Sequence, residues 1–244
     1  MTKEFQMKPY QISLTALLMA MFLSSTANAH FPWLVIGNDP GRVQIYVSES
    51  AAPDKPEFLK NLVGVPVQQI TAAGDTKELS TAVGETSLIA TPLGNTASAF
   101  VLAGAGRVLP FHGKNTLMNS CGKTYCPSAN GKWNTIDSSN HVELDIVPRV
   151  DGDKLTLQVL WHGKPAVDAE LSLKGPIFSN EVIAGQVSRV TAELNDKGEF
   201  SFTLPKSGLL SIRASYTEQT KGELDGKEYV RVRNNSTLAL NLSN

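Results

Sequence analysis

From residue 42 onward, apolar and polar side chains alternate with a period of two over short stretches, the signature of half-buried strands. The alternation predicts strands at Arg42–Val47, Val65–Ile70, Thr86–Ala90, Ser98–Leu102, His141–Val147, Lys154–Trp161, Val167–Leu173, Ser188–Leu194, Glu199–Leu204, Leu209–Tyr216 and Ser236–Leu242. Helical spacing is confined to Pro56–Leu62, where Pro opens a single turn and Gly64 follows it. Residues 113–133 are polar and Gly-rich with no apolar period, and read as an irregular loop. The chain is therefore expected to be all-β, built of β-sandwiches.

The joint Pro148–Asp153 supplies Gly-Asp turn chemistry without an apolar anchor, and divides the chain into an N-terminal β domain, 30–150, and a C-terminal sandwich, 151–244. Within the second, His162-Gly163-Lys164-Pro165, Asn195-Asp196-Lys197-Gly198 and Pro205-Lys206-Ser207-Gly208 each lie between two strands and read as hairpin turns. Residues 1–29 stand apart: Lys3 and Lys8 precede an apolar run, Ile12–Leu23, and then Ala27-Asn28-Ala29. That is the grammar of a secretory signal peptide, too short to span a bilayer, so the mature chain is expected to be exported, periplasmic or secreted, to begin at His30 and to carry no membrane span.

Charge changes the picture little. With 22 Lys and Arg against 23 Asp and Glu the chain lacks the basic surplus that nucleic-acid binding requires, and at 41% hydrophobic and 18% charged it is too apolar for a disordered chain. The two cysteines, Cys121 and Cys126, are separated by four residues, and in an oxidising compartment their default is a local disulfide clipping the 113–133 loop. A two-thiolate metal site is the alternative, but it needs further ligands in register.

The segments LQVLWHGKPAVDAELSLKGP, NDKGEFSFTLPKSGLLSIRASY and GELDGKEYVRVRNNSTLAL, with the start His30-Phe31-Pro32-Trp33-Leu34, resemble domain-of-unknown-function family 4198 across Lys154–Leu242. The resemblance implies a secreted bacterial protein with an immunoglobulin-like or transthyretin-like C-terminal sandwich and an association with nickel uptake or metal transport. Members of that family commonly carry a His before the last strand, where this chain has Val230-Arg231-Val232-Arg233, so no ligand carries over there.

Cleavage after Ala29 would give His30 a free α-amine beside its imidazole, a bidentate nitrogen donor suited to Cu or Ni. Phe31, Trp33, Leu34, Val35 and Ile36 follow at once and are expected to anchor this terminus in the core. A third nitrogen must come from His112, His141 or His162. His112, in Pro110-Phe111-His112-Gly113, lies in the same domain on irregular backbone and ranks first, His141 at a strand start second, and His162 reads as an exposed turn residue. Glu143 and Asp145, on one strand face, could hold a cation or catalyse as a carboxylate pair, but a solvated strand face is the preferred reading. No Gly-x-Ser-x-Gly, phosphate loop or His-Glu-x-x-His occurs, and Gly104-Ala105-Gly106 has no helix after it, so no enzyme is expected. Two functions remain: metal handling through His30, His112 and His141, with a membrane transporter as partner, or a ligand-binding or protein-interaction module without metal.

Overall fold

Where polar and apolar positions alternate, the two faces of a strand meet different surroundings, and the computed structural model shows this along most of the chain. It describes residues 30–37, 41–94, 98–104, 106–126, 136, 141–175 and 189–242; the expected signal peptide lies outside them. In chain order the elements are β1 (Phe31–Ile36), β2 (Val43–Ser48), a 3-10 helix (Pro56–Asn61), β3 (Val67–Thr71), β4 (Thr76–Leu79), β5 (Thr81–Val83), β6 (Leu88–Ala90), β7 (Ser98–Ala103), β8 (Arg107–Phe111) and β9 (Lys114–Tyr125). There follow β10 (Leu144–Asp151), β11 (Lys154–Trp161), β12 (Lys164–Pro165), β13 (Glu170–Lys174), β14 (Val190–Ala192), β15 (Glu199–Thr203), β16 (Leu209–Glu218), β17 (Gly222–Leu224), β18 (Lys227–Tyr229) and β19 (Arg231–Asn241). No described helix is long and apolar enough to cross a membrane.

A nine-stranded sheet, β14-β13-β16-β19-β9-β7-β3-β4 with β8 paired to β9, forms the middle layer. One face packs against the sheet of β10, β11, β12 and β15. Between them lies a core that includes Leu144, Ile146, Leu155, Leu157, Val159, Leu171, Leu173, Leu210, Ile212, Leu238 and Leu240, joined by Ala99, Val101 and Tyr125 from the N-terminal half. The other face carries the sheet β1-β2-β6-β5, over a core of Leu34, Ile36, Val43, Ile45, Val67, Leu88, Phe100 and Leu102. Strand β7 shows the division residue by residue: Ala99 and Val101 enter one core, Phe100 and Leu102 the other.

The architecture is all-β, as expected, and the C-terminal half is an immunoglobulin-type sandwich by its own strand order. Taken in sequence, its first, second and fifth principal strands, β10, β11 and β15, face β14-β13-β16-β19, the arrangement A-B-E against C′-C-F-G. The division at 148–153 takes a different form. Gly152-Asp153 is the loop of the β10–β11 hairpin, with Asp151 opposite Lys154, so β10 belongs to the C-terminal sandwich. The two halves share the middle sheet, because β19 pairs in parallel with β9 from Arg231↔Thr116 to Ala239↔Thr124. Two of the expected hairpin turns also change role: Asn195–Gly198 and Pro205–Gly208 connect strands of different sheets, as the crossovers of such a sandwich require.

Residues 114–125, expected to be a clipped loop, form the twelve-residue strand β9. Its Gly122 marks a close crossing: a Cβ there would lie 2.9 Å from the Pro32 carbonyl oxygen and 2.8 Å from Leu34 Cδ1 of β1. The neighbouring Thr237 hydroxyl donates to the same Pro32 carbonyl, Trp33 Nε1 donates to Ser48 O at 3.0 Å, and Asn241 Nδ2 donates to Ile36 O at 3.0 Å. All six residues of β1 are buried, so the apolar run after His30 is anchored as expected.

Candidate binding site

The Cys121–Cys126 disulfide does not form. Both residues lie along extended backbone, where five residues span about 16 Å, far beyond the separation a disulfide can bridge. Their odd spacing also sends them to opposite faces: Cys121 packs against the core beneath β10 and β11, and Cys126 against the core beneath β1 and β2. Burial pushes the Cys121 thiol up to about 11, despite a hydrogen bond from Ser236 that works the other way.

The three-nitrogen centre of His30, His112 and His141 does not assemble either, and among the described residues no three His, Cys, Asp or Glu side chains are grouped as a metal site needs. Each imidazole is held elsewhere for a clear reason. His112 occupies the first position of a two-residue hairpin turn between Phe111 and Lys114, with φ 47° followed by Gly113 at φ 71°. This is the left-handed pair that a type I′ turn demands, and His tolerates it better than most residues. His162-Gly163 makes the same turn between Trp161 and Lys164 with φ 47° and 74°. Each of the two rings sits against the preceding aromatic, His112 on Phe111 at 4.3 Å and His162 on Trp161 at 4.2 Å between centroids.

His30 and His141 are kept apart by the middle sheet. Alternate residues of β9 face opposite ways. His30 lies on the side of Met118 with Phe58 and Leu62, whereas His141 lies on the side of Asn119 and Cys121, its Nδ1 3.1 Å from Gln68 Oε1. Of the acid pair, Glu143 is exposed, but Asp145 is buried and ion-paired with the equally buried Lys123 of β9. The solvated-face explanation therefore fails for Asp145. Burial alone would pull the Lys123 ammonium down, but the Asp145 carboxylate, with Tyr125 beside it, outweighs burial and holds it above its ordinary value.

What does converge around His30 is a cavity of about 240 Å³, on the β1 side of the middle sheet. Its walls come from five separate segments: the start of β1 (Phe31, Pro32), Val47 of β2, the 3-10 turn and its exit (Phe58, Asn61, Leu62), the β8–β9 hairpin (Arg107, Leu109, Met118, Ser120) and Gly104. Phe58 on the 3-10 turn and Leu62 at its C-cap both line the cavity, and Leu59 between them is buried in the core beneath β1 and β2. The His30 ring lies on Phe58 at 4.0 Å between centroids, and its Nε2 is 3.1 Å from Asp54 Oδ2. The result is an apolar chamber with His30, Asn61, Ser120 and the single lining cation Arg107 at its edge. Arg107, Phe58 and Met118 were not among the residues singled out by motif, since no local spacing links segments brought together only by sheet packing.

A second cleft, of about 290 Å³, lies across β9 and is lined by Asn119, Cys121, His141, Glu143, Asn234 and Asn235 among others. Its amides largely satisfy one another: Asn119 Nδ2 donates to Asn234 Oδ1 at 2.9 Å, Asn235 Nδ2 to Asn119 O at 3.1 Å, and Ser215 Oγ to Asn235 Oδ1 at 2.9 Å. A network closed on itself serves the joint between β9 and β19 better than it serves a ligand.

No family model matches the chain, and no curated protein matches it. Among solved structures, it is similar to a "Biofilm associated protein - BSP domain" at 13% identity and a TM-score of 0.20, covering 85% of this chain and 29% of that one. It is also similar to the FN1-FN3 domains of chicken CNTN1 at 11% identity and a TM-score of 0.20, covering 85% of this chain and 65% of that one. The chain thus spans less than two thirds of either, and superpositions this loose leave the fold to rest on the strand order itself.

Proposed function

We propose that this chain is an exported, non-enzymatic β-sandwich module that binds a small ligand in the cavity beside His30. The observation that carries this reading is the convergence of apolar walls from five chain segments on one concave site with a lone arginine at its edge, the usual anatomy of a small-molecule pocket. A cavity of roughly 150 Å³ takes up benzene, so this larger one suits an aromatic or compact aliphatic body carrying one acidic or acceptor group for Arg107. The test uses 4-fluorobenzoate as probe, followed by fluorine NMR and calorimetry. Saturable binding is expected, abolished by Leu62→Trp, which fills the chamber, and weakened by Arg107→Gln. Absence of saturation, or binding indifferent to Leu62→Trp, overturns the proposal.

Metal handling keeps one support, the contact of His30 with Asp54, because carboxylates orient the imidazoles that bind metals. On that reading Cu or Ni would be held by His30 and the new α-amine alone, without His112 or His141. Tight Cu(II) binding by the processed chain, lost when one residue is added before His30, would favour it over the cavity reading. Equal binding by both chains would remove it.

A further inference from the structure

The outer face of β16 presents Ser211, Arg213 and Ser215, and register places Arg213 between Ser172 of β13 and Thr237 of β19, a row of small hydroxyls around one guanidinium. The guanidinium lies over the Phe31 ring, 4.6 Å from its centroid. Its Nε is buried and has no acceptor among the described residues. Two further arginines lie near enough to act on its charge. Arg233 of β19 is satisfied by Glu170 Oε2 at 2.6 Å and Thr217 Oγ1 at 3.2 Å, while Arg189, just before β14, donates to the neutral Glu49 carbonyl at 2.9 Å.

A buried donor without an acceptor forfeits its hydration with nothing in return, and a native structure that keeps one commonly holds a water or an ion there. Here the forfeited group is also a cation beside two others. Burial, then Arg189 and Arg233, pull the Arg213 guanidinium down to about 10, against the opposing pull of Glu170 and Glu49. The acids that reach it therefore leave the cluster under-compensated. A guanidinium edge offers parallel N–H groups that match two oxygens of one anion.

We propose that Arg213, flanked by Arg189 and Arg233, is an oxyanion site for a sulfate, a phosphate or the same group on a larger molecule, with the Arg213 Nε–H donated to one of its oxygens. The site is separate from the cavity beside His30, whose lining includes Arg107 but none of Arg189, Arg213 and Arg233.

The test titrates sodium sulfate, sodium phosphate and O-phosphoserine into the full chain at fixed ionic strength, following the Arg Nε–Hε resonances by nitrogen-edited NMR and the Tm by calorimetry. The Arg213 resonance is expected to move saturably in the millimolar range, and Tm to rise along the same curve. General salting-in or salting-out grows without saturation over hundreds of millimolar, so the two are distinguishable. Arg213→Gln should abolish the saturable part, Arg189→Gln should raise the midpoint several-fold, and Arg107→Gln should leave it unchanged. Tighter binding of O-phosphoserine than of inorganic phosphate assigns the site to a group on a larger molecule; equal binding assigns it to the free ion. An Arg213 resonance unmoved by all three, or a saturable Tm rise that survives Arg213→Gln, overturns the proposal. Should Arg213→Gln fail to fold, the resonance titration and the Arg189→Gln midpoint still decide it.

Discussion

Removing Lys123 should be far more costly than removing an ordinary lysine. Lys123 and Asp145 are each 1% exposed, and their ion pair ties β9 in the middle sheet to β10 in the facing sheet. Lys123→Met leaves the carboxylate buried with its strongest partner gone, a change that costs about 3–5 kcal/mol. For a chain of this length each kcal/mol lowers Tm by about 2–4 °C, so a fall of roughly 6–20 °C is expected in calorimetry. Asp145→Asn should cost a similar amount, and the double variant Lys123→Met with Asp145→Leu should recover most of it, because an apolar pair of similar volume avoids both desolvation penalties. The Asp145→Asn deficit should depend on pH. There burial pulls the abandoned Lys123 ammonium below its unfolded value with no carboxylate to oppose it, so the deficit shrinks as pH rises. A Lys123→Met protein within about 1 kcal/mol of wild type, or an Asp145→Asn deficit that does not shrink as pH rises, would refute the reasoning.

Gly122→Ala drives a methyl group to 2.9 Å from the Pro32 carbonyl and should lower stability by about 1–3 kcal/mol in urea unfolding, whereas Gly113→Ala, in open space, loses only the cost of its left-handed turn. His112→Asn should leave stability within about 0.5 kcal/mol, and His112→Val should cost about 1 kcal/mol or more, since a β-branched residue resists φ 47°. Neither should alter binding at the cavity. Intact-mass analysis after alkylation in denaturant without reductant should find Cys121 and Cys126 both modified. Because the Cys121 thiol is raised from 9.0 to about 11 on folding, the folded chain holds that proton longer, and stability should be full below pH 9 and fall as pH climbs towards 11, a slope that Cys121→Ala removes.

Period-two alternation was enough to find β11 to the residue and β16 nearly so, because one face of each meets the core and the other meets water or small polar groups. It failed on β9 and on the first half of β19, where Thr116, Lys123, Thr124, Asn234, Asn235, Ser236 and Thr237 are polar and buried. Those side chains find partners across strands and layers, such as Thr124 Oγ1 donating to Ala239 O at 2.9 Å, and partners more than a hundred residues away leave no mark on local composition. The mid-strand Gly122 and the two cysteines completed the disguise, since glycine in a polar run reads as a turn. The His-Gly pairs were legible by contrast. His162-Gly163 reads as a turn from its neighbours, and His112-Gly113 carries the same dipeptide after the same kind of aromatic and makes the same turn. The cavity could not have been found by spacing, since its walls span Phe31 to Ser120 and meet only after the sheets have packed.

Parallel pairing of β9 with β19 also sets an order of events during synthesis. More than a hundred residues separate Tyr125 from Arg231, so a chain emerging from its N-terminus must carry β9 as an unpaired border until its last strand arrives. An exposed border is where chains stick to one another, and natural sheets defend such borders with polar and charged residues. Lys114, Asn115, Asn119 and Lys123 are that defence, fitted to a strand that ends life in the middle of a sheet. The same residues that hide the strand from a reader of hydrophobic pattern hide it from other copies of the chain while it waits. A chain ended at Val230 should therefore remain dispersed but lack the closed β1 layer, and light scattering with amide exchange of β1 would show whether it does.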